Sequence, residues 1–174
     1  MIILITGGSG SGKSEYAENL AMKLNQKDEM TYIATMHPYG KETLLKIERH
    51  KEMRKGKGFE TIECSYALKD ITKPIHSTVL LECMSNLAAN ELYMDQGAKE
   101  NALKEMMDGI QVLSTKSDNL IIISNEIFNE DMEQDIEMTT YIQLLASVNK
   151  EIGRLANVVC EVVYSIPVFY KGKL

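Results

Sequence analysis

Two groups of residues in this chain carry functional groups suited to one chemistry. The first is Gly7, Gly8, Ser9, Gly10, Ser11, Gly12, Lys13 and Ser14, a complete G-x-x-x-x-G-K-S phosphate loop just after the apolar run Ile2-Ile3-Leu4-Ile5. Glycines let consecutive backbone N–H groups turn onto phosphate oxygens, and a helix starting near Lys13 adds the positive end of its dipole. In that setting Lys13 reaches the β and γ phosphates of a nucleotide, and the Ser14 hydroxyl ligates Mg²⁺. A plain glycine turn is the alternative. The buried-strand run before the loop and the helical spacing of Tyr16, Ala17, Leu20, Ala21 and Leu24 after it argue against that.

The second group is Lys46, Arg49, His50, Lys51, Arg54, Lys55 and Lys57, crowded together in a chain whose net charge is −6. An anion is expected there. On a helix Ile47, His50, Lys51 and Arg54 stand three or four positions apart and share a face. A neutral imidazole is a competent nucleophile toward phosphorus, and cations beside it stabilise charge building on a triphosphate under attack. Taken alone, the same residues also fit a solvated helix face. His37 beside Pro38 and His76 after Pro74 have no such surroundings and are assigned no chemistry.

Glu82 closes the run Val79-Leu80-Leu81-Glu82, where a phosphate-loop enzyme carries an acid that holds Mg²⁺ or its waters. A carboxylate capping a neighbouring helix is the competing reading. Asn125 and Glu126 follow Ile121-Ile122-Ile123-Ser124 and precede Asn129, Glu130 and Asp131. That polar loop suits a second substrate and plain solvation equally.

These residues need a scaffold, and its pattern is that of an α/β protein: a mostly parallel sheet flanked by helices. Strands are expected at Ile2–Thr6, Thr31–Thr35, Phe59–Glu63, Thr78–Cys83, Leu120–Ser124 and Val158–Ser165, with a short one at Val168–Tyr170. Helices are expected at Ser14–Asn25, Lys41–Arg54, Tyr66–Lys73, Asn86–Thr115 with a break near Gly97, and Met138–Ala156. Ligands bind beyond the C-terminal ends of such strands. The phosphate loop, Met36–Tyr39, Glu82–Ser85 and Asn125–Asp131 all fall there.

The 174 residues suit one domain spanning 1–174, and 44% hydrophobic with 25% charged residues is ordinary for a globular protein. An excess of negative charge argues against general nucleic-acid binding. Three scattered cysteines, Cys64, Cys83 and Cys160, suggest neither a disulfide framework nor a zinc site and fit a cytoplasmic location. The opening apolar run is too short for a signal-peptide core, and no stretch is long enough for a membrane span.

Four stretches together resemble the bifunctional adenosylcobinamide kinase / adenosylcobinamide-phosphate guanylyltransferase family. They are Ile5-Thr6-Gly7-Gly8 through Gly12-Lys13-Ser14; Tyr32-Ile33-Ala34-Thr35; Lys46 to Arg54 with Phe59-Glu60-Thr61-Ile62-Glu63; and Leu80-Leu81-Glu82-Cys83. Ser124-Asn125-Glu126 and Val148-Asn149 add weaker support. The His-Lys-x-x-Arg helix followed by an aromatic-x-Thr-x-Glu strand is the discriminating part.

The resemblance implies a phosphate-loop nucleotide-binding fold and two steps on one substrate. ATP or GTP first phosphorylates adenosylcobinamide; GMP from GTP is then moved to that phosphate through a covalent GMP-histidine, at His50 by position. It also implies nucleotide contacts from the phosphate loop, Tyr32, Ile33, Ala34, Lys51, Glu52, Met53, Arg54, Glu63 and Glu82, and a trimeric assembly. Phe59 stands where the family usually has Trp, and Glu82 where many members have Asp. A phosphate-loop kinase without a covalent intermediate is the alternative. A regulatory GTP switch lacks its motif here, because Asn149-Lys150-Glu151-Ile152 has no Asp.

Overall fold

The computed structural model describes residues 1–25, 29–127 and 136–174, so Asn129, Glu130 and Asp131 of the polar loop lie outside the described residues. Its strands are β1 (Ile2–Thr6), β2 (Met30–Ala34), β3 (Phe59–Glu63), β4 (Thr78–Glu82), β5 (Asn119–Ile123), β6 (Val158–Val163) and β7 (Ile166–Lys171). They form one sheet in the order β3-β2-β4-β5-β1-β6-β7. All neighbours pair in parallel except β7, which runs antiparallel to β6.

The central strands are continuous apolar runs because both faces of a parallel sheet are covered. The helices are α1 (Lys13–Leu24), α2 (Gly40–Arg54), α3 (Met84–Tyr93), α4 (Ala102–Lys116) and α5 (Ile136–Leu155). Successive strand residues alternate between two core layers. Ile3, Ile5, Tyr32, Leu80 and Ile121 pack with Ala17, Leu20 and Ala21 of α1. Leu4, Ile33, Leu81 and Ile122 pack with Met106 and Ile110 of α4 and Val148 and Ile152 of α5. Helix α2 differs from the rest, since Arg54 at its last turn is its one buried residue.

Three expectations need correction. Tyr66–Lys73 is not a helix; only Leu68–Asp70 makes a single 3₁₀ turn. Ala67 takes a left-handed φ of 52°, and its N–H donates to Glu91 Oε1 at 2.8 Å, which fixes a turn where helical bonding would have to start. Leu68 then plugs against Gly109 of α4, where a Cβ would stand 2.5 Å from the Leu68 Cβ. The region Asn86–Thr115 divides more fully than a single break implies. α3 starts at Met84, two residues early, and ends at Tyr93, before a 3₁₀ turn at Lys99–Asn101 and then α4. Gly97 packs against the Glu91 carbonyl, where no side chain fits.

Finally, β6 stops at Val163 rather than running to Ser165, because Tyr164 and Ser165 take positive φ values of 49° and 63° and make a two-residue hairpin turn. The last strand correspondingly includes Pro167, a residue that an edge strand tolerates.

Candidate nucleotide site

The phosphate loop lies between the end of β1 and the start of α1. Gly12 caps α1 with a left-handed φ of 90°, and a Cβ there would clash with the Ser165 Oγ. The β6–β7 turn thus buttresses the loop, and the Ser165 N–H donates to the Ser11 carbonyl at 2.8 Å. Gly8, Ser9 and Gly10 are exposed, whereas Lys13 is buried and its Nζ donates to the Gly8 carbonyl at 2.9 Å. Burial lowers the Lys13 pKa from its ordinary value, against the opposing pull of Cys83 and Glu82. The buried Ser11 Oγ has no hydrogen-bond partner among the described residues.

Glu82 joins the loop to α2. Although β5 separates β4 from β1, α1 packs across both β4 and β5 and so brings Ser14 to the end of β4. Ser14 Oγ donates to Glu82 Oε1 at 3.2 Å, and His50 Nδ1 faces Glu82 Oε2 at 3.6 Å. Burial pushes the Glu82 carboxyl up to about 7, helped by Glu18, while the Ser14 hydrogen bond and Lys13 pull it back. Burial lowers His50 below the ordinary imidazole value, and the Arg54 and Arg49 cations add to that. The imidazole is held toward its neutral form. With the two groups displaced toward neutrality, their contact is not a full ion pair. Ser14 and Glu82 together offer the hard oxygen donors that Mg²⁺ takes.

The face of α2 that turns inward holds Thr43, Ile47, His50 and Arg54, four residues at helical spacing. Lys51 leaves that face and reaches the sheet edge, where its Nζ lies 3.1 Å from Glu63 Oε1. The Arg54 guanidinium lies 3.5 Å from the ring centroid of Tyr32, which itself meets Phe59 edge-on at 5.9 Å. Arg54 Nε and Nη1 and the Tyr32 hydroxyl are buried without hydrogen-bond partners among the described residues. Beside them a concavity of about 210 Å³ is lined by Lys51, Arg54, Lys55, Phe59 and Thr61.

The fold therefore gathers the phosphate loop, His50, Arg54, Tyr32 and Glu82, with Lys51 and Glu63 at its margin. Ala34 ends β2 beside Glu63 and Glu82 in register. The Ile33 side chain faces the opposite core layer, and Glu52 and Met53 stand exposed, with Glu52 paired to Lys55. Neither is drawn toward the loop.

Sequence reasoning did not single out Glu18, Thr35 and Asn90. Glu18 is buried on α1 and bonds Lys57 Nζ at 2.5 Å, tying the segment after α2 to the helix of the phosphate loop. It stands four residues after Ser14, so helical spacing alone would have put it on the same face. Thr35 Oγ1 donates to the Glu82 carbonyl and accepts from the Cys83 N–H, both at 2.8 Å. Asn90 Nδ2 donates in turn to the Thr35 carbonyl at 2.8 Å. These buried polar bonds fix the end of β4 and so the carboxylate it carries.

Comparison with known proteins adds to this geometry. The profile of the CobU family, described as cobinamide kinase / cobinamide phosphate guanyltransferase, matches residues 3–169. The chain belongs to this family. Among CobU relatives, the bifunctional adenosylcobalamin biosynthesis proteins CobU of Escherichia coli and Salmonella typhimurium are each 28% identical over 188 residues, covering 98% of this chain and all of the relative. The family joins a kinase and a guanylyltransferase, and the chain is an enzyme of that kind.

Solved structures share its fold at lower identity. The flagellar accessory protein FlaH of Methanocaldococcus jannaschii superposes with a TM-score of 0.50 at 16% identity, over 99% of this chain and 78% of that one. The ATPase domain of G40P gives 0.50 at 12% identity, over 92% and 68%. Both share the fold described above.

Proposed function

We propose that this chain phosphorylates adenosylcobinamide with ATP or GTP and then transfers GMP from GTP to the product, forming adenosylcobinamide-GDP for cobalamin synthesis, with His50 as the covalent carrier. The observation that carries the reading is the junction of His50, Glu82 and Ser14. An imidazole that burial holds toward its neutral form faces the carboxylate that accepts from the phosphate-loop serine.

In the transferase step an unprotonated His50 nitrogen attacks the α-phosphorus of GTP. The N–P bond forms, the bond to the β-phosphate oxygen breaks and pyrophosphate leaves. A phosphate oxygen of adenosylcobinamide phosphate then attacks the same phosphorus, the N–P bond breaks and His50 is regenerated. Nδ1 is the nitrogen turned to Glu82, which leaves Nε2 with the lone pair for attack. Using a neutral nitrogen replaces the approach of one anion on another with two easier displacements. Lys13 swings from the Gly8 carbonyl to the leaving phosphates, and Arg54 offers its unpaired N–H groups to the nucleotide. Ser14 and Glu82 would hold Mg²⁺, which when bound neutralises charge on the β and γ phosphates.

Tyr32, Ile33, Ala34, Lys51 and Glu63 complete the nucleotide contacts in this reading, Ile33 through its backbone, while Glu52 and Met53, which face solvent, are left out of it. One domain carries both activities, the location is cytoplasmic and the assembly is a homotrimer. Among the described residues no helix is long and apolar enough to cross a membrane.

The test supplies adenosylcobinamide, GTP and Mg²⁺ and follows both corrinoid products. Appearance of the phosphate followed by the GDP-linked form is expected. Formation of neither overturns the reading, and the phosphate alone would leave a kinase without a transferase.

A further inference from the structure

At the end of the sheet opposite the nucleotide site, side chains at or just before the starts of three strands converge on one point. Glu29 precedes β2, Glu60 is the second residue of β3, and His76 lies two residues before β4. His76 Nε2 is 2.9 Å from Glu60 Oε2 and 3.6 Å from Glu29 Oε2. One ligand-capable atom from each of the three lies within 4.8 Å of the others. The sequence gives no hint of this, because the three residues are far apart in the chain and only the order β3-β2-β4 unites them.

We propose that Glu29, Glu60 and His76 bind a divalent transition metal, zinc being the member that fits best, and so clamp the N-terminal ends of β2, β3 and β4. The donor set is one imidazole nitrogen and two carboxylate oxygens, a composition that zinc accepts and that Mg²⁺ and Ca²⁺, which prefer oxygen alone, do not. With bonds of about 2.0–2.2 Å, neighbouring ligands of a tetrahedral zinc stand about 3.4 Å apart. The two observed separations from His76 bracket that spacing. Two carboxylates facing one imidazole leave negative charge that a dication cancels.

A simple His76–Glu60 ion pair does not account for the third group. Glu29 lies beyond hydrogen-bonding distance yet converges on the same nitrogen. The site is also braced. Thr31, buried at 1% exposure, pairs in register with Glu60 on β3, and its Oγ1 accepts the His76 N–H at 2.8 Å. That bond fixes the backbone bearing the histidine against the strand beside Glu60, as outer-shell bonds do around metal ligands. Along the strands Glu60 lies three residues from Glu63, about 10 Å, and His76 six residues from Glu82, about 20 Å, so the two sites are distinct.

The full chain, stripped of metal with a chelator, is titrated with zinc against a chromogenic competitor in a large excess of Mg²⁺. Wild type, Cys64→Ser and His50→Ala are expected to retain one tight equivalent. His76→Gln and Glu60→Gln should each weaken it at least tenfold, and Glu29→Gln should weaken it also. Cobalt in place of zinc should give the visible absorption of a four-coordinate nitrogen–oxygen site with no sulfur charge-transfer band, and zinc should raise the melting temperature of wild type but not of His76→Gln. Circular dichroism reports the fold of each variant, and Glu29→Gln, at an exposed position, keeps the question open to measurement if another variant fails to fold. Equal zinc affinity in wild type and the folded cluster variants, or loss of the tight equivalent in His50→Ala alone, would overturn the proposal.

Discussion

His50 and Glu82 face each other with pKa values displaced in opposite directions, and both displacements come chiefly from burial. For His50, the folded value lies below the unfolded one near 6.5. The nucleophilic form therefore persists to lower pH than free imidazole allows, and the acid limb of histidine guanylylation should fall below pH 6.5, as a pH series of single-turnover labelling will show. For Glu82, the folded value of about 7 lies above the ordinary 4.5. The folded protein prefers the protonated acid, so stability from this group is full below pH 4.5 and is lost as pH rises through about 7. Glu82→Gln mimics the protonated form and keeps an oxygen for Ser14. At pH 8, without nucleotide, it should be more stable than wild type by up to roughly 3 kcal/mol. Urea unfolding should show that gap closing toward pH 4, while turnover drops because the carboxylate for Mg²⁺ is gone.

Two contacts between elements hold the site in shape. Gly12 combines a left-handed φ with the touch of Ser165, so Gly12→Ala meets both a backbone penalty and a clash. A loss of about 1–3 kcal/mol is expected, with weakened GTP binding, measurable by denaturation and calorimetry. Lys57 and Glu18 tie the segment after α2 to α1. Lys57→Met leaves a buried carboxylate unpaired and should cost about 3 kcal/mol, and adding Glu18→Gln should restore most of it. The phosphate loop and the strands were legible because buried parallel strands are continuous apolar runs and the loop has fixed spacing. The basic face of α2 was legible in part, His50 and Arg54 turning inward while Lys51 turns to Glu63. Glu18 was legible only as a residue on the Ser14 face of α1, since its pairing with Lys57 depends on where α2 ends, and the turn at Tyr66–Lys73 was not, because Glu91 imposes it from α3.

Across the whole molecule, an acidic chain presents one basic helix beside a glycine loop, and the sheet order brings Ser14, His50 and Glu82 together from three distant segments. A protein organised around a bound triphosphate should be stabilised by it. At a hundredfold excess over Kd, GTP with Mg²⁺ should contribute about 2.7 kcal/mol. For a chain of this size that is roughly 5–11 °C in a melting scan, and Glu82→Gln should show much less. Whether His50 carries GMP covalently is decided with GTP labelled in its α-phosphate. Wild type is predicted to retain acid-labile, alkali-stable label that adenosylcobinamide phosphate removes, and His50→Ala to retain none. Full labelling of folded His50→Ala, or an unlabelled wild type that still transfers the γ-phosphoryl group, would rule out a covalent role for His50.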